Sequence, residues 1–390
     1  MSAVKEVRVG IVGAGLMGRE IASAIQRWPS LIDHPVRPRV TAVCDINPAT
    51  LDWFDGIDSV DLKTTDYAEL LADDRVDIVY IAVRHDLHET MYVEAIRAGK
   101  DLLAEKPFGI DLAAARRIVQ AIDDNPEVFV RCSSEMPFFP GAQLAINHIR
   151  SGALGRLVEV RSAFLHSSDL DRSKPINWKR QTQYCGEAGV MNDLGLHALH
   201  VPLRLGWRPY EVYSVLQNLV EERPGPDGTP VVCDTWENAT LHATARHQAY
   251  DFPLTIETKR VSPGNKNTWL LHAVGMDGGV SFSTKNPKRV STFAWADQAG
   301  IGREQVWQQL DSGSQSVWPT VTGGIFEFGF ADSILQMWAA FLAEREGELG
   351  DRFGCVTPHE ALATHELYRA AIESHQHRSV ALVNLRSSGL

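Results

Sequence analysis

An aspartate and a histidine four positions apart, Asp193 and His197, are the residues in this sequence best spaced for proton-transfer chemistry. If their segment is helical, the two side chains lie one turn apart on the same face. A carboxylate can then sit beside an imidazole that accepts a proton from an alcohol. His200 shares that face, so a metal site formed by Asp193, His197 and His200 is the alternative. No fourth ligand stands out in the sequence, and we favour proton transfer without a metal.

Lys106 is the second candidate, in the tripeptide Glu105-Lys106-Pro107 that follows a short predicted strand over residues 101–104. In a parallel α/β sheet, ligands bind beyond the carboxyl ends of the strands. A lysine at that edge can donate a hydrogen bond to a hydroxyl group and favour its deprotonation. The candidate catalytic residues are therefore Lys106, Asp193 and His197, with His197 as the base because its ordinary pKa suits neutral pH.

A glycine motif of the form G-x-G-x-x-G occupies Gly13, Ala14, Gly15, Leu16, Met17 and Gly18. It follows a predicted strand and opens a predicted helix, which is the context that dinucleotide binding requires. Gly13 permits the tight turn, Gly15 lets a pyrophosphate approach the backbone, and Gly18 lets the helix pack closely on the strand. This pattern predicts a dinucleotide cofactor.

Asp45 ends the second predicted strand, and Ile46 rather than a cation follows it. A carboxylate at this point accepts hydrogen bonds from a ribose diol and repels a 2′-phosphate. The expected cofactor is therefore NAD rather than NADP.

Alternating strands and helices in the first third of the chain predict βαβ units and a parallel sheet covered on both faces. A proline-rich loop is expected over residues 29–39. The predicted strands cover residues 7–12, 40–44, 76–83, 101–104 and 128–132, and the predicted helices cover residues 16–26, 67–71, 88–98 and 112–122.

The pattern changes after a predicted helix over residues 141–149, because strands then follow one another without helices between them. Such a run favours an antiparallel sheet. Residues 221–230 are expected to form a turn-rich connector, and helical periodicity returns over residues 328–346 and 358–375. The predicted strands of this part cover residues 157–166, 211–220, 238–245, 254–260, 269–274 and 280–283. The sequence thus predicts an α/β domain over 1–135 and an α+β domain over 136–390.

Composition excludes several classes of protein. The formal net charge of −11 over 390 residues argues against a protein that binds nucleic acid or an anionic membrane surface, because such binding needs a basic face. Five cysteines without a C-x-x-C pair favour reduced thiols over a disulfide framework or a thiolate metal site. The amino terminus has no apolar signal-peptide region, and no apolar run approaches the ~18 residues of a membrane span. A cytoplasmic protein with a small-molecule substrate is expected.

These motifs together resemble the Gfo/Idh/MocA oxidoreductases, the family of glucose–fructose oxidoreductase and inositol dehydrogenase. The resemblance spans essentially the whole chain. Its most specific part is the combination of Glu105-Lys106-Pro107 with Asp193-Leu194-Gly195-Leu196-His197. The family implies a Rossmann domain with a parallel sheet, followed by an α+β domain with a large, open, mainly antiparallel sheet that often makes oligomer contacts. A homo-oligomer, either a dimer or a tetramer, is therefore expected, and by resemblance the Lys106–Pro107 bond should be cis.

The resemblance also implies roles for individual residues. Lys106 orients the substrate oxygen, His197 is the acid/base, and Asp193 orients or polarises His197. Trp178 and Lys179, in a loop expected to cover the substrate, resemble a Trp–basic pair that lies by the nicotinamide and the substrate. Val83-Arg84-His85 stand where the family has Thr-Pro-Asn, whereas the histidine of that stretch is kept. The implied cofactor contacts are Gly13, Gly15, Leu16, Met17, Gly18, Asp45, Ala82, Val83, His85, His88, Glu105 and Lys106.

The activity expected from this resemblance is reversible hydride transfer between NAD and a carbinol carbon of a sugar, polyol or glycoside. Two alternatives remain at this point. One is an NAD-dependent glycosidase that transiently oxidises C3, eliminates the aglycone and reduces the sugar again. The other is a non-catalytic sensor that binds a dinucleotide or a sugar on the same fold.

Overall fold

A computed structural model describes residues 4–311, 313 and 315–385. The chain forms two compact units. The first unit contains the chain up to Phe138 together with Ser316–Gly323 and Gly329–Leu362, and the second contains Phe139–Gln315, Gly324–Phe328 and the chain from Ala363. The first change of unit lies three residues after the predicted boundary at 135/136, and the later returns to the first unit were not predicted.

The secondary-structure elements are numbered in chain order. The strands are β1 Lys5–Val12, β2 Val36–Cys44, β3 Leu62–Thr64, β4 Ile78–Ile81, β5 Asp101–Ala104, β6 Val130–Cys132, β7 Leu157–His166, β8 Arg208–Gln217, β9 Glu222–Pro224, β10 Pro230–Val232, β11 Asn238–His247, β12 Tyr250–Lys259, β13 Asn267–Gly275, β14 Gly278–Ser283, β15 Arg289–Gln298, β16 Gly302–Asp311 and β17 Ala381–Leu382. The helices are α1 Leu16–Gln26, α2 Tyr67–Ala72, α3 His88–Arg97, α4 Leu112–Asp123, α5 Pro140–Arg150, α6 Thr182–Cys185, α7 Val190–Arg204, α8 Phe330–Arg345 and α9 Pro358–His377.

The first unit contains a parallel sheet in the order β3-β2-β1-β4-β5-β6. All four residues of β4 are buried, as expected for a central strand covered on both faces. The order reverses between β1 and β4, which creates a crevice beyond their carboxyl ends where doubly wound sheets bind ligands. The predicted Rossmann sheet is confirmed.

The predicted loop over residues 29–39 is wrong for its last four residues, because β2 begins at Val36. Pro38 is tolerated within this strand because β2 pairs with β1 there, whereas its pairing with β3 begins only at Ala42. A proline can lie in a strand where the side without an N–H faces no neighbouring strand.

The second unit contains a mainly antiparallel sheet in the order β16-β15-β14-β13-β7-β12-β11-β8-β17, in which β7 and β12 pair in parallel. Helix α7 packs on β7 and β12, and α5 packs on β14 and β15. On β8, Ser214 faces α9 and donates to the carbonyl of Ala371, whereas the alternate residues Tyr213 and Val215 are exposed. The predicted large open sheet is therefore confirmed, with helices on one face and exposed apolar side chains on the other.

Two parts of the second unit differ from the prediction. The expected connector over residues 221–230 is a small hairpin of β9 and β10, since strand pairing continues on both sides of its turn. Strands β15 and β16 were not predicted. Nearly every residue of β16 is exposed, so its sequence lacks the apolar alternation that marks a half-buried strand.

None of the helices in the described part of the chain is long and apolar enough to cross a membrane.

Candidate active site

The glycine motif forms the turn between β1 and α1. Gly13 has φ +95°, and a Cβ there would lie 2.2 Å from the carbonyl oxygen of Ala82. A Cβ on Gly18 would lie 2.1 Å from the carbonyl oxygen of Gly13, whereas a Cβ on Gly15 would meet nothing within 4 Å. Gly13 and Gly18 therefore serve close packing, and Gly15 leaves open space at the start of α1.

The start of α1 fits a pyrophosphate. Gly15 is the N-cap and has no side chain with which to cap the helix. The first N–H groups of a helix have no partner within the helix, so those of Leu16, Met17 and Gly18 can donate to phosphate oxygens. This chain thus offers backbone donors and space at the point where the sequence predicted the cofactor.

Asp45 lies directly after β2 with its carboxylate held in place. The backbone N–H of Ala14 donates to Oδ2 at 2.8 Å, and the N–H of Asn47 donates to Oδ1 at 2.9 Å. Each carboxylate oxygen can accept further hydrogen bonds, so a ribose diol can be bound there. Next to it, Ile46 is 91% exposed and provides apolar surface.

His88, at the start of α3, is completely buried. Its Nδ1 lies 2.7 Å from the carbonyl oxygen of Pro107, its Nε2 lies 3.1 Å from that of Val83, and its ring stacks on Tyr92. Burial lowers the pKa of His88 to about 4, so the ring is neutral at physiological pH and carries one proton to donate. His88 thus joins the chain after β4 to the chain after β5 and positions both segments. His85, which precedes it, is also buried.

Glu105 is buried at the end of β5, next to the predicted Lys106–Pro107 bond, which is cis as expected. Its Oε1 accepts hydrogen bonds from Tyr80 at 2.7 Å and from Ser133 at 2.5 Å. These contacts fix the backbone from which the half-buried Lys106 projects. Glu105, like His88, therefore positions the chain after β5.

Glu135, which sequence reasoning missed, is a second buried carboxyl group near Glu105 and Lys106. Burial, and then the charge of Glu105, raise the pKa of Glu135 to about 7. Two carboxylates close together in a buried place oppose each other's ionisation. No motif marks Glu135, and only the fold brings it near the Lys106 segment.

In the second unit, α7 holds Asp193 and His197. The carboxylate of Asp193 accepts from Lys179 Nζ at 2.8 Å on Oδ1, and from Arg260 Nη2 at 2.8 Å and Nε at 3.1 Å on Oδ2. His197 is buried, its ring meets Phe164 edge to face, and its carbonyl accepts from the indole N–H of Trp269 at 2.8 Å. Asp193 is therefore an ion-paired carboxylate one turn from a buried imidazole.

Gly195, between these two residues, faces Tyr368. A Cβ at this position would lie 2.3 Å from the phenolic oxygen, so a larger residue would push α7 away from α9. The glycine between Asp193 and His197 therefore has a packing function.

Trp178 and Lys179 lie in a short 3-10 turn in which the backbone N–H of Lys179 donates to the side chain of the N-cap residue Asn177. The Lys179 ammonium lies 5.5 Å from the centroid of the Trp178 ring and also binds Asp193. The next residue, Arg180, forms a buried ion pair with Asp169. The turn thus brings the predicted Trp–Lys pair to the start of α7.

The predicted residues gather at one place in each unit. In the first unit, Gly13, Gly15, Leu16, Met17, Gly18, Asp45, Ala82, Val83 and Lys106 lie at the carboxyl ends of β1, β2, β4 and β5. In the second unit, Trp178, Lys179 and Asp193 are brought together, with His197 one turn along α7 and His200 completely buried beyond it. Among the residues that the structure describes, no group of three His, Cys, Asp or Glu side chains could hold a metal ion, so nothing there supports the alternative metal site.

Comparison with known proteins agrees with this geometry. Residues 7–131 match the family described as "Oxidoreductase family, NAD-binding Rossmann fold", and residues 143–278 match the GFO/IDH/MocA C-terminal domain. Levoglucosan dehydrogenase of Pseudarthrobacter phenanthrenivorans is 24% identical over 313 residues, covering 76% of this chain and 78% of that protein. Inositol 2-dehydrogenase of Rhizobium meliloti is 26% identical over 259 residues, covering 64% of this chain and 72% of that protein.

Solved structures show the same fold. A levoglucosan dehydrogenase in complex with NADH and levoglucosan superposes with a TM-score of 0.85 at 21% identity, over 97% of this chain and 100% of that chain. An NAD-binding oxidoreductase from Klebsiella pneumoniae superposes with a TM-score of 0.84 at 24% identity, over 97% of this chain and 99% of that chain. With both family domains matched in order along the sequence, this chain belongs to the Gfo/Idh/MocA oxidoreductases, and its first unit is their NAD-binding Rossmann domain.

Proposed function

We propose that this protein is an NAD-dependent dehydrogenase that transfers hydride between NAD and a carbinol carbon of a polyhydroxylated ring, such as a sugar, an anhydrosugar or a cyclitol. The observation that carries the proposal is the arrangement on α7, where an ion-paired Asp193 lies one turn from the buried His197. The similarity to levoglucosan and inositol dehydrogenases supports the choice of substrate class.

The first unit supplies the cofactor site. The N–H groups of Leu16, Met17 and Gly18 bind the pyrophosphate, and Asp45 binds the adenosine ribose. Bound NAD supplies the acceptor for the hydride. Ala82 and Val83, where the chain leaves β4, form the adjoining wall of this site.

The side chains of this chain manage the substrate and its proton. Lys106 donates a hydrogen bond to the reacting hydroxyl oxygen and stabilises the charge that develops as the proton leaves. His197 accepts that proton on a ring nitrogen and returns it in the reverse direction. Asp193 stabilises the imidazolium by its negative charge, and Trp178 and Lys179 bind the ring and the remaining hydroxyl groups of the substrate.

A substrate panel tests the proposal. Free sugars, levoglucosan, myo-inositol and aryl glycosides are incubated with NAD, while nicotinamide absorbance and aglycone release are followed separately. Steady NADH production from a free polyol is the expected result. Aglycone release without net NADH would instead show the glycosidase, and NAD binding with neither product would show the sensor.

The proposal includes a cytoplasmic location and a homo-oligomer. All five cysteines are buried free thiols, which supports a reducing, cytoplasmic location. The exposed apolar residues of the open sheet face, among them Tyr213 and Val215, support a dimer or tetramer built through that face.

A further inference from the structure

Arg260, directly after β12, joins the two parts of the candidate substrate site in the second unit. Its side chain is only 1% exposed. Nε and Nη2 donate to Oδ2 of Asp193 at 3.1 and 2.8 Å, while Nη1 donates to the carbonyl oxygen of Lys179 at 3.0 Å. One planar guanidinium thus bonds a side chain of α7 and the backbone of the Trp178–Arg180 turn at the same time.

The carbonyl of Lys179 is held by further donors. It also accepts from Arg180 Nη1 at 3.0 Å, from Thr235 Oγ1 at 3.2 Å and from Cys185 Sγ at 3.4 Å. So many donors on one carbonyl fix the backbone of residue 179 in a segment outside the sheet. Its side chain remains 35% exposed, and only one of the three N–H bonds of its ammonium is needed for the bond to Asp193.

The side chains of Asp193, Lys179 and Arg260, which we call the Asp193 triad, depend on one another because of their charges. Asp193 is a buried carboxylate with two cations on its oxygens, and a buried guanidinium is tolerated only with such a partner. Without Arg260, Asp193 would have Lys179 as its remaining cation in this triad, and the turn would lose one of the donors that hold it.

We infer that Arg260 is a positioning residue for the proposed reaction: it fixes the orientation of the Asp193 carboxylate on α7 and holds Lys179 where its ammonium can bind a substrate hydroxyl. The predicted effect of Arg260 on catalysis rests on the proposed function. Its predicted effect on the Trp178–Arg180 turn rests on the geometry alone. Arg260 touches neither cofactor nor substrate in this scheme.

Arg223 provides a matched control in the same unit. It is equally buried, lies 3.7 Å from Glu237 and donates to the carbonyls of Asp169 and Asp171, both at 2.8 Å. These contacts hold the earlier part of the same loop and include neither Lys179 nor Asp193. Substitution of Arg223 therefore reproduces the loss of a buried arginine without removing any bond made by the side chains of Asp193, Lys179 or Arg260.

The first measurement is hydrogen–deuterium exchange of the full chain, and it does not depend on activity. In Arg260→Met and Arg260→Lys, exchange should rise over residues 178–185, whereas in Arg223→Met and Arg223→Lys it should rise over residues 169–174. Unchanged exchange over residues 178–185 in both Arg260 variants would overturn the inference. If Arg260→Met does not fold, Arg260→Lys decides, because a single ammonium keeps the charge but cannot reproduce the three-point fork.

The second measurement is steady-state kinetics on the substrate that the panel identifies. Arg260→Met should lose about 10²-fold in kcat/KM, with KM raised as well as kcat lowered, while NADH binding is unchanged. Arg260→Lys should recover part of this loss. With Asp193→Asn in the background, Arg260→Met should cost far less than alone, because both changes break the same contact.

The possible results distinguish the inference about Arg260 from the proposed dehydrogenase function. Equal losses of kcat/KM per folded molecule in the Arg260 and Arg223 variants would reduce Arg260 to a structural residue and overturn the inference. A wild-type protein that oxidises nothing in the panel would refute the proposed function and the role of Arg260 in turnover, whereas raised exchange over residues 178–185 would still support its hold on the turn.

Discussion

Glu135 should make the folded protein less stable as the pH rises, and Glu135→Gln should remove this effect. Burial and the nearby Glu105 raise the pKa of Glu135 to about 7 in the folded chain, against an ordinary value of 4.5. The folded state therefore binds a proton that the unfolded state has already released between those two values. Stability from this group is complete below about pH 4.5, falls between pH 4.5 and 7, and stays low above pH 7.

The size of the effect follows from the two pKa values. At 1.36 kcal/mol per pKa unit, a change from 4.5 to about 7 corresponds to about 3 kcal/mol at full ionisation. Glutamine resembles the protonated acid in shape but cannot ionise. Glu135→Gln should thus exceed the wild type by less than about 1 kcal/mol at pH 5 and by up to about 3 kcal/mol at pH 8.5.

Chemical denaturation at pH 5, 7 and 8.5, followed by tryptophan fluorescence, measures this difference. Glu344→Gln is the control, since it makes the same chemical change in the same unit on a carboxylate that pairs with Arg131 at 2.7 Å. Loss of that ion pair should weaken the control variant rather than strengthen it at high pH. A Glu135→Gln advantage that is the same at all three pH values would refute the reasoning.

Three further predictions concern the reaction and the assembly. Asp45→Ser combined with Ile46→Arg should move cofactor preference from NAD towards NADP, because the first change removes a carboxylate that repels the 2′-phosphate and the second adds a cation. Calorimetry with both dinucleotides measures the preference. Comparable binding of NAD and NADP by the wild type would contradict the prediction. His197→Ala should retain NAD binding but lose at least ~10² in turnover, and a near wild-type rate with an unchanged pH profile would make His197 structural. Tyr213→Glu with Val215→Glu on β8 should weaken the oligomer in light scattering, whereas a wild-type monomer at micromolar concentration would show that the open face is not an interface.

The first unit was largely predictable because its signals are local. The glycine motif, the acid after β2 and the β-branched runs each belong to one short segment, and α1 Leu16–Gln26 and β5 Asp101–Ala104 were predicted to the residue. The start of β2 was missed because several prolines in a short segment favour a loop. Only the structure shows that one side of the strand has no neighbour there, so that a proline is tolerated.

The candidate site was predictable only where its residues fall in a motif. Asp193, His197 and Lys106 stand in recognisable spacings, but Arg260 and Glu135 do not. Arg260 follows Asp193 by 67 residues and five strands, β8 to β12. Its importance comes from a guanidinium brought back to α7 by the parallel pairing of β12 with β7. The contacts that His88 makes with the backbone and that Glu105 makes with hydroxyl groups also could not be predicted, because a sequence does not reveal such partners. Their contact with the cofactor stays a prediction.

Helix α8 has a consequence for how the protein is made. Although it lies near the end of the sequence, it belongs to the first unit, and residues such as Ile334, Met337 and Trp338 are completely buried there. During synthesis, the amino-terminal sheet therefore emerges from the ribosome long before the helix that completes its core. We expect the nascent Rossmann sheet to depend on chaperones until residue 345 is released, and a fragment that stops at residue 138 to aggregate rather than to serve as a separable cofactor-binding module.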